Sequence, residues 1–116
     1  MKLLLISNTP IVIQIFKLVC KKMSFDFEVK DDNEVKDKYD FIIIDKEFID
    51  DRFNIIKQFS KKLGAISSEE LPFEKARDFV IPRPFLPNQL QSIIQEHMQL
   101  IKDEERAKKQ SVGKIL

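Results

Sequence analysis

Short apolar runs and apolar stripes at helical spacing take turns along this chain. Leu3-Leu4-Leu5-Ile6 is a continuous apolar run, the pattern of a strand covered on both faces of a parallel sheet. Thr9-Pro10 then reads as a helix cap followed by proline at the first helical position. Val12, Phe16, Val19, Cys20 and Met23 share one helical face, so the spacing predicts a helix over 9–23. Phe25, Phe27 and Val29 alternate with Asp26 and Glu28, a strand period. Residues 31–38 are polar apart from Val35. Phe41-Ile42-Ile43-Ile44 is the strongest buried strand, and Asp45 ends it. Ile55, Ile56, Phe59 and Leu63 predict a helix over 51–62. Leu63 to Ile66 reads as a weaker strand, followed by Ser67-Ser68. Phe79-Val80-Ile81 is another strand. Leu90, Ile93, Ile94, His97, Met98 and Ile101 mark a final helix from Pro87 to about Arg106. Residues 107–116 read as a tail or the start of a linker, which leaves 1–106 as one domain.

Strands that alternate with helices imply parallel pairing through right-handed crossovers. A five-stranded parallel sheet in the order 2-1-3-4-5 is the simplest arrangement. Residues 9–23 and the last helix are expected on one face, and the helix at 51–62 on the other. The stretches 31–39 and 68–78 are too short for a full helix of about 11 residues plus its loops. The second and fourth helices of such a fold are therefore expected to be shortened or absent. Val35, Leu71 and Phe73 are the candidate plugs for the face they leave.

Composition narrows the function. The chain has 116 residues with a formal net charge of +1, which argues against nucleic-acid binding by bulk charge. Two glycines cannot build a glycine-rich phosphate cradle. The single cysteine, Cys20, forms no internal disulfide, and a reducing cytoplasmic location is expected. The apolar run at 3–6 is interrupted by Ser7 to Pro10, too early for a secretory core. The stretch from Ile11 to Val19 carries Gln14 and Lys17 and is too short to span a bilayer. His97 lies on or beside a helix stripe and reads as a packed helix residue.

Four landmarks, in order, resemble the response-regulator receiver family. They are Ser7-Asn8 with Pro10 after the first strand, Tyr39 to Asp45, Ile66-Ser67, and Phe79-Val80-Ile81-Pro82-Arg83-Pro84-Phe85. The resemblance covers roughly residues 1–103. It implies a flavodoxin-like (CheY-like) three-layer α/β sandwich and a place in two-component signalling or phosphorelay. It puts Asp45 at the phosphoacceptor position and Ser67 and Arg83 at the switch positions. The departures stand beside the matches. Ser7 and Asn8 replace the family's acidic pair, and Arg83 replaces its lysine.

A divalent cation such as Mg²⁺ wants carboxylates and waters in octahedral array. Two neutral residues beside Asp45 remove charge that phosphoryl transfer needs. Asn8, Asp45 and Glu47 are the remaining candidate metal ligands, so weak Mg²⁺ binding and no required cofactor are expected. The chain then reads as a pseudo-receiver without catalytic activity, acting through a protein partner or as a homodimer, with no nucleic acid or membrane involved. An ion pair between Asp45 and Arg83 is expected to lock the site, and Arg83-Pro84 is a candidate cis peptide. Two alternatives stay open: a phosphorylation-competent receiver with an unusual metal shell, and a small metal-dependent phosphatase-like enzyme built on Asp45 and Glu47.

Overall fold

A computed structural model describes residues 1–32, 34–50, 53–67, 78–82 and 85–115. Strand β1 (Lys2–Ile6) leads to helix α1 (Pro10–Lys22), then β2 (Asp26–Lys30) and β3 (Tyr39–Asp45). A 3₁₀ turn over Lys46–Phe48 is followed by the single-turn helix α2 (Phe53–Ile56) and a second 3₁₀ turn over Lys57–Phe59. Strands β4 (Ser60–Ile66) and β5 (Asp78–Ile81) and helix α3 (Pro87–Ile115) complete the chain. The five strands form one sheet in the order β2-β1-β3-β4-β5, and every pair is parallel. This is the flavodoxin-like order expected from the sequence.

The sheet is apolar on both faces. Leu3, Leu5, Phe41 and Ile43 point to the side covered by α1 and α3. Leu4, Ile6, Ile42 and Ile44 point to the other side. All eight are fully buried, each contributing about 1.5–3 kcal/mol relative to exposure. Helix α1 packs through Val12, Phe16, Val19 and Cys20, and α3 through Leu90, Ile94 and Ile101. Thr9 holds extended backbone before α1, and its carbonyl accepts the first helical bond from Ile13 N (3.1 Å). Its side chain makes no capping bond, so Pro10 sets the helix start.

The opposite face departs from expectation. Over the described part of the predicted 51–62 helix, residues 53–59 form one α-turn and one 3₁₀ turn, and residues 60–62 belong to β4. Ile56 and Leu63 do share a face, as the helical spacing implied, but they reach it from a turn and from a strand. The pair Lys61-Lys62 disguised the strand as a polar helix end. Lys62 is in fact 1% exposed, with its Nζ 3.0 Å from Glu104 Oε1 of α3. A lysine can lie along a buried strand when its long stem carries the charge to a carboxylate at the rim.

No helix occurs among the described residues between β2 and β3, and Val35 packs half-buried on the second core cluster, as the plug reading expects. Leu71 and Phe73, like Arg83 and Pro84, lie outside the described residues. Helix α3 runs on to Ile115, beyond the end expected near Arg106. Among the described residues, no helix is long and apolar enough to cross a membrane.

Candidate functional site

Parallel strands bring their C-terminal ends to one edge of the sheet, the usual place for a site in an open α/β fold. Ile6 of β1 pairs with Ile44 of β3, so Ser7 and Asp45 emerge side by side. Asp45 in turn pairs with Ile66, which places Ser67 at the next strand end. Ser67 N donates to Ile81 O (3.1 Å), and this bond carries the β4–β5 ladder one step past the strand. Ser7 N likewise donates to Lys30 O (3.0 Å). Both serines are therefore held by backbone, with their side chains at the floor of the edge.

Ser7, Asp45 and Ser67 are all buried, at 1%, 0% and 2% exposure. The Ser7 hydroxyl donates to Asp45 Oδ2 at 2.9 Å and accepts from Thr9 N at 3.2 Å. A hydroxyl offers one donor and two acceptor lone pairs, and here its one proton is committed to the carboxylate. The bond is a consequence of the sequence pattern: a short hydroxyl stands at the end of β1, one register step from the aspartate that ends β3. In the sequence alone Ser7 counts only as a lost charge. The signal that would have found the bond is the register, since residues that end neighbouring parallel strands sit side by side.

Asn8 and Glu47, the other candidate ligands, are both exposed. Glu47 sits in the 3₁₀ turn that Asp45 opens. Among the described residues, no group of three or more His, Cys, Asp or Glu side chains is arranged to hold a metal ion. Arg83 falls outside the described residues, and so do the Asp45–Arg83 ion pair and the Arg83-Pro84 peptide. Phe85, two residues beyond Arg83, is buried, with its ring 5.9 Å from that of Phe16 in an edge-to-face contact.

His97 packs as the sequence suggested, in the α1–α3 layer away from these strand ends. Its ring stacks on Phe79 with centroids 4.0 Å apart and planes 17° apart. Burial holds its pKa below the ordinary histidine value; Glu96 opposes that shift and the nearby Lys62 adds to it. Phe79 in turn meets Phe41 edge-on, and Phe41 stacks with Phe25.

The sheet order, the pair of helices on one face and an aspartate at the end of β3 define a receiver-like fold. Seven solved chains match it, among them the two that follow. The chemotaxis response regulator CheY4 of Vibrio cholerae superposes with a TM-score of 0.64 at 17% identity, over 82% of this chain and 96% of that one. The receiver domain of a sensor histidine kinase from Pseudomonas aeruginosa, with a magnesium ion coordinated in its active site cleft, superposes with a TM-score of 0.59 at 14% identity, over 82% of this chain and 94% of that one. No protein-family model matches the sequence, and no curated protein does.

Proposed function

We propose that this chain is an atypical receiver-like signalling domain that works through protein–protein interaction, with little or no Mg²⁺-dependent phosphorylation of Asp45. One observation carries the reading: the buried Ser7 hydroxyl donates to Asp45 at 2.9 Å. In a phosphorylatable site, a cation and its acidic ligands crowd around the nucleophilic carboxylate. Here the first position of the family's acidic pair is a neutral donor that already occupies one carboxylate oxygen. The second, Asn8, is neutral and exposed. Such a donor set does not fit tight binding of Mg²⁺, which favours several anionic or water oxygens in octahedral array. Without that positive charge, the negative charge gathering on a transferring phosphoryl group goes uncompensated.

The test is direct. The protein is incubated with Mg²⁺ and acetyl phosphate, or beryllofluoride, at concentrations that saturate ordinary receivers, and intact mass is measured. The expected result is a largely unmodified chain. Stoichiometric modification that disappears in Asp45→Asn would overturn the reading and establish a working phosphoacceptor.

A further inference from the structure

We propose that the chain associates with further copies of itself head to tail, the outer side of α1 on one copy docking on the outer flank of α3 on the next. The proposal names a partner for the protein-binding reading above, and rests on that reading for its role in signalling.

Large apolar side chains exposed to water are few in the described residues, and four of them lie on the two long helices, two at α1 and two at α3. On α1, Ile11 and Leu18 are 60% and 46% exposed and seven residues apart. Half-buried Ile15 lies between them. At the start of α3 and along it, Leu86 and Leu100 are 65% and 41% exposed, with half-buried Ile93 midway, again at steps of seven. Leu86 belongs to this helix row because its carbonyl accepts the bond from Leu90 N (3.0 Å). Seven residues make two helical turns, so both stripes repeat at about 10.5 Å. The α1 pair spans one such repeat and the α3 pair two, so a parallel pairing brings two layers together, Leu18 with Leu100 and Ile11 with the half-buried Ile93 that also packs on its own core.

The charges beside the stripes decide which pairs with which. Helix α1 carries Lys17, Lys21 and Lys22, all exposed, and no acidic residue. Lys21 and Lys22 lie three and four positions beyond Leu18, which puts them against it on the helix surface. On α3, Glu96 and Asp103 lie three positions beyond Ile93 and Leu100, and both are exposed. Pairing α1 with α1 would set lysines against lysines. Pairing α3 with α3 would set carboxylates against carboxylates. Pairing α1 with α3 of another copy, the helices parallel, sets Leu18 near Leu100 and Lys21 near Asp103. The two faces lie on different helices, so one molecule can use both. A heterologous contact of this kind does not stop at a dimer unless it closes into a ring. A contact of two apolar layers flanked by charges belongs with the transient interfaces that bury less than about 1,200 Å², so the association is weak and reversible.

Sedimentation over a concentration series tests it with four proteins. The wild type should grow in average mass beyond the dimer, and lose that growth in high salt, where charges are screened within about 3 Å. Leu18→Asp and Leu100→Asp should each remain monomeric. Their equimolar mixture should give a one-to-one dimer and nothing larger, because each keeps the face the other has lost. Growth lost in only one variant would show an isologous contact and overturn the proposal. So would a wild type that stays monomeric. If either aspartate variant loses its cooperative thermal transition, Lys21→Glu and Asp103→Lys take their place. Each alone should weaken association about tenfold, and mixing them should restore it. Asp45→Asn should leave association unchanged, so an outcome here is separable from one at the phosphoacceptor position.

Discussion

A buried hydroxyl holds one oxygen of the Asp45 carboxylate, and a buried imidazole ties the α1–α3 layer to pH. His97 is packed on Phe79 and kept neutral by burial, so its folded pKa lies below its unfolded value near 6.5. The unfolded chain therefore binds a proton that the folded chain resists. The stability this histidine supplies is complete above pH 6.5 and is lost as the pH falls through the window from 6.5 to the lower folded value. Lys62 and Glu96 are the charged groups that act on it. Replacing His97 by Phe keeps an aromatic ring over Phe79 and removes the titration. Thermal unfolding followed from pH 8 to pH 5 should show the wild type losing more midpoint than His97→Phe, and parallel curves would refute the assignment. The sequence placed His97 on the apolar stripe of its helix. It could not reveal the stacking partner, because Phe79 arrives from a different strand.

At the scale of elements, β4 was the hardest to see and is the most demanding to build. Its seven residues include two lysines and a glycine, which is poor strand composition. Tertiary contacts override that preference. Lys61 reaches Asp40 of β3 and Glu105 of α3, at 3.3 and 2.8 Å, and Lys62 reaches Glu104. Gly64 lies under the Phe79 ring. A Cβ there would stand 2.7 Å from the ring's Cε2 and Cζ and 2.8 Å from Ile43 Cδ1. The glycine is the space that lets Phe79 lie between Phe41 and His97. Gly64→Ala should therefore cost about 1–3 kcal/mol by overpacking, read as a lower denaturant midpoint at unchanged slope. Stability equal to the wild type would mean that the aromatic row shifts freely. The other elements were legible because their signals are local: four-residue apolar runs for β1 and β3, and Thr9-Pro10 with a helical stripe for α1. The helix expected at 51–62 failed because turns and a strand happened to present Ile56 and Leu63 at helical spacing.

Among the described residues of the whole molecule, the cover of the sheet is lopsided. One face carries two long helices, and the other carries a single-turn helix, 3₁₀ turns and half-buried side chains such as Val35, Phe48, Ile49 and Phe59. Helix α3, with 29 residues, is about 43 Å long, whereas a seven-residue strand spans about 23 Å. The helix thus outruns the sheet it covers, which gives the molecule its 51 Å long axis against 32 and 26 Å. The parallel order and its receiver-like likeness were readable from alternation alone. The Ser7–Asp45 bond was not, because it depends on which strands become neighbours.

Cys20 gives this architecture a clock. Its thiol is 1% exposed in the layer between α1 and the sheet, and burial pushes its pKa up to about 12. The thiolate is the reactive form, so the folded protein hides its single thiol both from solvent and from ionisation. Alkylation then has to wait for α1 to lift. The labelling rate at neutral pH, divided by that of the denatured chain, measures the fraction of time the helix spends detached. The expected rate is orders of magnitude below the denatured rate, and it should rise with denaturant in step with global unfolding. Labelling that is fast in buffer alone would mean that α1 detaches without the sheet, so that the stripe of Ile11 and Leu18 belongs to an element that opens independently of its domain.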